Sequence, residues 1–571
     1  MTREATLAGL RQSPELSVLI IGGGINGIGT FRDLALQGVD VLLVEKNDFC
    51  SGASAASSHM VHGGLRYLEN GEFRLVYEAL HERNRLLRNA PHYVKPLPTT
   101  IPIFNWFSGM LNAPLKFLRL RDKPSNRGAL VIKAGLTMYD LFTFTQQATP
   151  RHKFHSKEAS LRDRPQLNPD IVSTATYYDA WMPYPERICL ELILDAEAAS
   201  PKARALNYVS AESASGDVVT LKDELTGETY TVKPKIVINA AGPWIDFTNR
   251  NLKRETKFIG GTKGSHILVD HPELLAATRG HELFFENADG RICLFFPLQD
   301  RVLIGTTDIK ISNPDEARCT DEEIDYMINL VRVVFPGITI TRDQIVFCFS
   351  GVRPLPASDA ATTGQISRDH SIRVTESGSG VNFPTFSLIG GKWTTFRAFS
   401  EQTTDQVLPR LRLDRRTSTR NLPIGGGLRY PTSEADKQRW LQRVESKTGL
   451  SRQRLEMLFE RYGTRAEQIA TFCAQTEDVP LQHVPGYTTG EIEFIATNEK
   501  VMRLDDFILR RSLLAMLGRV SGAGLVELAH VLAGSLGWSE AQTQAEIERA
   551  AMILRERHRV DLALRQETSL T

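Results

Sequence analysis

The chain has 571 residues, of which 42% are hydrophobic and 24% are charged, and its formal net charge is +1. This length exceeds the usual size of one hydrophobic core, so we expect two or three structural units. The composition excludes a disordered or fibrous protein, and the balanced charge gives no global attraction to nucleic acid.

The cysteines, the N-terminus and the apolar runs indicate a protein of a reducing compartment. Six cysteines are scattered with no pair at C-x-x-C spacing, so we expect free thiols, with no metal site and no disulfide framework. Residues 1–14 are polar and lack the apolar segment of a secretory signal. The sequence has no run of about 18 apolar residues, the length that a transmembrane helix needs. We therefore expect a cytoplasmic protein.

The first fifty residues predict a βαβ unit that binds a dinucleotide. An apolar run at 16–21 leads into Gly22, Gly24 and Gly27, which satisfy the pattern G-x-G-x-x-G, and a helical pattern follows. These glycines allow a tight turn, close approach of a pyrophosphate and close packing of helix on strand, and the helix N-terminus attracts the phosphates. Glu45 ends the next apolar strand and is placed to accept hydrogen bonds from a ribose diol. An acid there favours FAD or NAD over NADP.

The rest of the chain alternates helical and strand-like patterns before it becomes helical. The predicted elements are a helix at 72–89, an irregular stretch at 101–139, a helix at 188–205, a hairpin at 217–232, a buried strand at 235–240, strands within 265–346 with a helix at 321–334, a strand at 387–389, a helix at 393–408, and helices at 505–517 and 541–557. Between these, residues 412–433 are rich in Arg, Thr, Pro and Gly, which indicates a domain boundary.

Two later glycine-rich turns favour FAD over NAD. Each follows an apolar strand, one at Ala241-Gly242 and the other at Gly390-Gly391. FAD is long, and a fold that buries it collects contacts from distant segments. Lys392, directly after the last turn, would place a cation beside the flavin and stabilise negative charge on the reduced ring. An NAD-dependent dehydrogenase is the second class considered, and a protein with a purely structural FAD is the third.

The predicted fold class is therefore α/β. We expect a doubly wound, Rossmann-like FAD-binding core interleaved with a mixed-sheet substrate region, followed by a C-terminal α-helical domain. The predicted FAD-binding and substrate domains span 1–410, and the C-terminal domain spans 411–571. Within 1–410, the FAD-binding segments are expected at about 16–90, 190–255 and 345–410, and the substrate segments at about 91–189 and 256–344.

Five motifs occur in order along the chain. They are SSHMVHGGLRYL at 57–68, KGSH at 263–266, IGTTD at 304–308, SGVRPL at 350–355 and GGKWTT at 390–395. Together they resemble the FAD-dependent glycerol-3-phosphate dehydrogenase family, which comprises respiratory enzymes and related oxidases. The resemblance runs from about residue 17 to about residue 397, and the tail from about 425 is similar to that family's C-terminal helical domain more loosely.

The resemblance implies oxidation of sn-glycerol 3-phosphate to dihydroxyacetone phosphate by hydride transfer from C2 to flavin N5. Electrons would then pass to a membrane quinone, or to oxygen in the oxidase branch. The implied partners are a phosphorylated polyol and an electron acceptor, and we expect a homodimer. The residues that match positions lining the substrate and flavin site are Arg66, Tyr67, His266, Arg353, Arg368 and Lys392.

The residue types at these positions suit this chemistry. A phosphate monoester carries about two negative charges, and the planar fork of arginine can bind its oxygens bidentately. Arg66, Arg353 and Arg368 lie in turn-like settings and not on a regular helix face, where an arginine would be interpreted first as a solvated surface charge. Oxidation of an alcohol also removes the hydroxyl proton, and His266 is the candidate base, with His62 second. The alternative for His266 is a strand-edge histidine bonded to backbone.

The predicted site residues fall into three groups. Catalytic roles are expected for His266, Arg353 and Lys392, and substrate binding for Arg66, Tyr67, Arg353 and Arg368. The expected cofactor residues are Gly22, Gly24, Asn26, Gly27, Glu45, Ser54, Ser58, His62, Gly242, Gly390 and Lys392. The serines, with Ser57, lie in a small-residue stretch that suits either the flavin or an ordinary polar turn.

Two departures from the family pattern leave a second substrate open. His59 stands where the family often has lysine, and MPYPER at 182–187 replaces paired aspartates followed by Ala-Arg. The second segment is expected to border the substrate pocket. Erythritol phosphate, a four-carbon polyol phosphate, is therefore the alternative substrate.

The segment at 104–121 interleaves aromatic and aliphatic residues with Lys116, Arg119 and Arg121. Such a segment suits the headgroup region of a membrane, and it equally suits a buried segment capped by surface cations. A quinone-linked enzyme needs access to the bilayer. This requirement favours peripheral attachment to the cytoplasmic face of a membrane.

Overall fold

The computed structural model describes residues 2–64, 72–106, 128–144, 148–287, 290–357 and 369–562. The predicted substrate residues Arg66, Tyr67 and Arg368 lie outside the described residues. Residues 107–121 of the proposed membrane segment also lie outside them. All six cysteines lie within the described ranges, and each is a buried free thiol.

The strands form two sheets, and residues in them or in the turns that follow them line the site. In chain order they are β1 (Glu15–Ile21), β2 (Val41–Val44), β3 (Met60–Val61), β4 (Lys95–Ile103), β5 (Lys153–Ser156), β6 (Ser173–Trp181), β7 (Ala203–Leu206), β8 (Val209–Ser215), β9 (Val218–Asp223), β10 (Thr229–Asn239), β11 (Thr262–Val269), β12 (Glu282–Glu286), β13 (Ile292–Leu298), β14 (Arg301–Gly305), β15 (Ile309–Lys310), β16 (Ile345–Arg353), β17 (Ser371–Thr375) and β18 (Thr385–Ile389).

The helices surround these strands and make up the C-terminal part. They are α1 (Arg3–Gln12), α2 (Ile25–Leu36), α3 (Phe73–Asn89), α4 (Ala129–Phe142), α5 (Lys157–Asp163), α6 (Pro185–Ala199), α7 (Ile245–Asn251), α8 (Pro272–Thr278), α9 (Asp321–Val334), α10 (Phe396–Arg410), α11 (Glu434–Thr448), α12 (Arg452–Tyr462), α13 (Ala466–Cys473), α14 (Thr489–Asn498), α15 (Leu504–Asp506), α16 (Gly522–Leu536) and α17 (Glu540–His558). Among the described residues, no helix combines the length and hydropathy needed to cross a bilayer.

The first sheet contains the predicted βαβ unit. Its strand order is β17-β18-β10-β1-β2-β7, in which β18, β10, β1, β2 and β7 run parallel. The strand β2 has the sequence VLLV and is buried throughout, as expected for a parallel strand covered on both faces. Helix α2 packs against α6 and α10 on this sheet. The antiparallel pairing of β9 with β10 confirms the hairpin predicted at 217–232.

The second sheet is mostly antiparallel and brings the later motifs together. Its order is β15-β11-β14-β13-β12-β4-β6-β3, and β16 pairs with the edge of β11 opposite to β14. The strand β11 therefore lies between β14 and β16, which carry the IGTTD and SGVRPL motifs. Both sheets match the predicted doubly wound core and mixed-sheet region. The segment 345–410 was predicted as FAD-binding, and its first strand, β16, pairs within the second sheet.

Two helices predicted from periodicity differ in the structure. The helix expected at 188–205 ends at Ala199, because the residue before Pro201 is disfavoured in helical conformation. The helix expected at 505–517 is wrong. The chain forms the short α15 and then a π-helical turn, Phe507–Arg511, before it becomes irregular. Burial of the Arg510 and Arg511 side chains, which hydropathy periodicity does not detect, accompanies this wider turn.

The C-terminal helices share a hydrophobic core with the second sheet. Phe347 and Phe349 of β16 belong to the same buried cluster as Leu504 and Leu554. Beyond Ile389, the described residues contain helices and no strand. The C-terminal domain is thus packed onto the α/β region rather than tethered to it.

Candidate active site

A large cleft is walled by residues from both sheets and from the C-terminal helices. Its volume is about 1930 Å³, whereas a pocket for a small ligand has about 300–1,000 Å³. The glycine loop after β1 and Glu45 line one part of the wall, and His266 and Arg353 line another. The cleft therefore has room for a large cofactor together with a substrate.

The glycine loop between β1 and α2 has the close backbone approaches that pyrophosphate binding requires. Gly22 has a φ of 111°, and a Cβ at this position would lie 2.6 Å from the carbonyl oxygen of Ala240. A Cβ at Gly27 would lie 2.0 Å from the carbonyl oxygen of Gly22, so α2 can approach β1 this closely because residue 27 is glycine. The first turn of α2 contains Ile25 and Asn26 and no acidic residue, so no side chain competes with a phosphate for the positive end of the helix dipole.

Glu45 and Ser54 flank the glycine loop. Glu45 Oε2 accepts a hydrogen bond of 2.7 Å from the N–H of Gly23, and Oε1 accepts one of 2.9 Å from the N–H of Asn47. Ser54 Oγ accepts a hydrogen bond of 3.0 Å from the N–H of Ile25. Both side chains line the cleft, so a ribose and a pyrophosphate would meet polar groups that are already held in place.

Segments far apart in the chain complete this part of the wall. Asn26 Nδ2 donates a hydrogen bond of 3.1 Å to the carbonyl oxygen of Gly390, and Trp393 Nε1 donates one of 2.8 Å to the carbonyl oxygen of Ser54. Gly242, with a φ of 57°, faces open space where a side chain would begin. Such a wall built from distant segments fits a long dinucleotide like FAD, as the three glycine-rich turns predict.

His266 on β11 is buried at the edge of the cleft. Its Nε2 lies 2.8 Å from Ser58 Oγ, and its ring stacks on Phe349 with the ring centroids 4.8 Å apart. A Cβ at Gly305 would lie 2.2 Å from the imidazole, so glycine makes room for this ring. Burial, and then the charge of Arg353, hold the pKa of His266 well below its usual value. The imidazole is therefore held in its neutral form.

Arg353 ends β16 and turns its guanidinium into the cleft. Nη1 donates a hydrogen bond of 3.2 Å to Asp308 Oδ1, and Nη2 donates bonds of 3.0 Å to Thr306 Oγ1 and 3.1 Å to the carbonyl oxygen of Thr307. A Cβ at Gly264 would lie 2.2 Å from Nη2, so the guanidinium lies directly on the backbone of β11. These contacts fix the direction of a fork suited to an anion.

His62 forms a second histidine site on the cleft, together with Asp179 of β6. The His62 Nδ1 lies 3.4 Å from Asp179 Oδ2, while Arg83 and Tyr139 donate hydrogen bonds to Asp179 Oδ1. Burial raises the pKa of Asp179, but the hydrogen bond from His62 and the charge of Arg83 outweigh this effect and lower that pKa. No role for Asp179 was predicted from the sequence. Its signal was the one charged residue inside a buried strand of small, hydroxyl-bearing and aromatic residues.

The structure brings most of the predicted site residues to this one cleft. The predicted residues that line it are Gly22, Gly24, Asn26, Glu45, Ser54, Ser58, His62, Gly242, His266, Arg353, Gly390 and Lys392. Gly27 lies behind the loop, where it allows the helix to pack. His59 is fully buried, and burial lowers its pKa to about 4, so it carries no charge in place of the family's lysine.

Comparisons with known proteins agree with this geometry. Residues 17–397 match the family described as FAD dependent oxidoreductase, and residues 417–543 match the C-terminal domain of alpha-glycerophosphate oxidase. A Synechocystis sp. protein named glycerol-3-phosphate dehydrogenase is 36% identical, covering 95% of this chain and 97% of its own. One from Pseudomonas tolaasii is 31% identical, covering 87% of this chain and 92% of its own.

A solved structure shares the fold over nearly the whole chain. Glycerol-3-phosphate dehydrogenase from Bacillus halodurans, in complex with FAD, has a TM-score of 0.72 at 24% identity and covers 97% of each chain. The glycine loop, Glu45 and the distant turns fit FAD, which is the cofactor of this chain. The chain belongs to the FAD-dependent glycerol-3-phosphate dehydrogenase family.

Proposed function

We propose that this chain oxidises sn-glycerol 3-phosphate to dihydroxyacetone phosphate and passes the electrons to a quinone. The hydride would leave C2 of the substrate for flavin N5. The observation that carries the proposal is the meeting of Ser58, His266 and Arg353 on one wall of the cleft. Ser58 belongs to the segment expected to border the cofactor, and its Oγ lies 2.8 Å from Nε2 of His266. Burial, and then the charge of Arg353, lower the pKa of His266.

In this proposal the substrate is bound through its phosphate. Arg353 would bind the dianion through its fork, with Arg66 and Arg368 as the further cations predicted from the sequence. A phosphate held there orients the carbinol carbon toward the cofactor. Thr306 Oγ1 and the carbonyl oxygen of Thr307 support this role, because they accept hydrogen bonds from Nη2 and so fix the orientation of the guanidinium.

His266 is the proposed base that takes the hydroxyl proton of the substrate. Bound FAD supplies the hydride acceptor, held by the glycine loop, Glu45, Ser54 and the Gly390 turn. Lys392, which lines the cleft after that turn, is the proposed cation for the reduced ring. His62 is the second candidate for the base, because Asp179 orients its ring on the same cleft.

The acceptor and substrate can be tested with purified protein. We expect glycerol 3-phosphate to reduce a soluble quinone analogue and to yield dihydroxyacetone phosphate, with unphosphorylated glycerol oxidised much more slowly. We propose quinone because relatives at 31% and 36% identity are named dehydrogenases. Rapid oxygen consumption with stoichiometric hydrogen peroxide would instead make the chain an oxidase. If erythritol phosphate were oxidised faster than glycerol 3-phosphate, erythritol phosphate would become the proposed substrate.

Replacing Gly27 with alanine is expected to abolish FAD binding. The new Cβ would lie 2.0 Å from the backbone oxygen of Gly22, so β1 and α2 must separate and the phosphate loop loses its shape. The flavin absorbance of the purified variant measures this loss, with circular dichroism to confirm folding. The matched control is Gly534→Ala in α16. Apart from the backbone of its own helix, no atom lies within 4 Å of the new Cβ, so the variant should keep full FAD content. Normal FAD content in Gly27→Ala would contradict the assigned role of the loop.

A further inference from the structure

The loop that follows β2 borders the glycine loop and carries the predicted ribose acceptor. This adenosine loop, residues 45–48, is held in place on the side of the first sheet. The N–H of Val209 donates to the carbonyl oxygen of Glu45 at 2.7 Å, and the N–H of Tyr208 donates to that of Asn47 at 2.9 Å. The other side of the adenosine loop faces the C-terminal domain.

Asp48, the last residue of the adenosine loop, is bound by two consecutive arginines of the C-terminal domain. Arg510 Nε donates a hydrogen bond of 2.6 Å to Oδ2, and Arg511 binds both carboxylate oxygens, at 2.7 and 3.0 Å. Asn207 Nδ2 adds a bond of 2.9 Å. Burial raises the pKa of Asp48, but the charges of Arg511 and Arg510 outweigh burial and lower it to about 2. The carboxylate is therefore charged at physiological pH.

The same arginines belong to a larger buried group of charges. Arg510 also donates to Asp505 Oδ2 at 2.8 Å and to Asp506 Oδ1 at 2.7 Å, and Tyr208 OH donates to Asp506 at 2.6 Å. We call the following residues the Asp48 cluster: Asp48, Asp505, Asp506, Arg510, Arg511 and Arg549. Its carboxylates and guanidiniums balance, so loss of one partner leaves a buried charge uncompensated.

The Asp48 cluster also forms part of the cofactor cleft. Asp48, Asp505, Arg510 and Arg549 line that cleft together with Glu45. The arginines come from the π-helical turn Phe507–Arg511, a local irregularity often found at functional positions. The C-terminal domain thus touches the part of the cleft expected to hold the adenosine half of FAD, far along the chain from the glycine loop.

We propose that the C-terminal domain is a positioning element of the FAD site. Arg510 and Arg511 hold the adenosine loop, through Asp48, in the arrangement that presents Glu45 to the ribose. FAD binding and docking of the C-terminal domain are therefore thermodynamically coupled, and each stabilises the other. The inference requires FAD as cofactor and is independent of the substrate proposed above.

The first test measures FAD binding to apoprotein by quenching of flavin fluorescence. Arg511→Lys keeps the charge but loses the bidentate fork, and Asp48→Asn keeps the side-chain size. Both are expected to raise the FAD dissociation constant by about 5- to 150-fold, the usual range of coupling between sites. The matched control is Arg443→Gln. Arg443 is an exposed arginine that pairs with Glu467 inside the C-terminal domain, away from both the cleft lining and the contact with the α/β region, so FAD affinity should change less than twofold.

The second test needs no variant. Amide hydrogen exchange of residues 504–511 in the full chain is expected to slow by about tenfold or more when FAD binds to the apoprotein, because FAD stabilises the docked domain. An unchanged exchange rate there overturns the proposal. So does an unchanged FAD affinity in the two Asp48 cluster variants once they are shown to be folded. Equal weakening of FAD binding by Arg443→Gln would also overturn it, since the effect would then follow from any lost ion pair of the C-terminal domain.

Discussion

Replacing Arg353 with methionine is expected to lower kcat/KM for glycerol 3-phosphate by roughly 30- to 5,000-fold. Removing one partner of a buried, hydrogen-bonded charge pair costs about 2–5 kcal/mol, and here the unpaired partner would be the substrate phosphate. Arg353→Lys should lose less, because a point charge remains without the fork. Steady-state kinetics with a saturating acceptor measure the effect.

Unphosphorylated glycerol distinguishes this role from a structural one. Glycerol has no phosphate for Arg353 to bind, so the rate of its much slower oxidation should change little in Arg353→Met. The preference of the enzyme for the phosphate ester is therefore expected to be lost. The control Arg342→Met removes an exposed arginine that pairs with Asp321 and Asp325, and it should keep normal kinetics. FAD content and Tm show whether loss of the Asp308 contact disturbs the fold. Equal losses for glycerol and glycerol 3-phosphate would contradict phosphate binding by Arg353.

Replacing His266 with asparagine is expected to lower the rate of flavin reduction by about 10²- to 10⁴-fold, the usual contribution of a general base. The pH dependence gives a sharper criterion. Because the pKa of His266 lies well below the usual value of about 6.5, its neutral form persists as pH falls through that value. The wild-type rate should therefore stay flat from pH 8 to below pH 6.5, and the acid limb should begin only at lower pH.

His62→Asn is the informative comparison for this prediction, and His155→Asn, at an exposed position of β5, is the control. Stopped-flow reduction of each variant separates the chemical step from binding. A larger loss in His62→Asn than in His266→Asn would move the role of base to the His62–Asp179 pair.

The cofactor half of the site could be predicted from the sequence because its signals are local. The glycine loop, the helix after it and Glu45 lie within thirty consecutive residues, and each has a spacing rule tied to a backbone requirement. His266 and Arg353 could be chosen by residue type and family resemblance. Their proximity depends on the pairing of β11 with β16, which no local pattern specifies.

The parts that could not be predicted depend on buried charges brought together from distant segments. Asp179 is held by Arg83, which is 96 residues away in the chain, and Asp48 by arginines 462 and 463 residues away. Helical periodicity at 505–517 also gave the wrong element, because periodicity follows apolar residues. The π-helical turn there presents Arg510 and Arg511 to a carboxylate in another domain.

We propose that this chain uses FAD to oxidise glycerol 3-phosphate. Anaerobic titration of the purified holoprotein with glycerol 3-phosphate, followed by flavin absorbance, tests this reaction most directly. We predict rapid bleaching of the flavin, with dihydroxyacetone phosphate formed in equal amount to reduced FAD. A yellow protein that glycerol 3-phosphate does not bleach would contradict the proposed substrate while leaving the FAD fold intact.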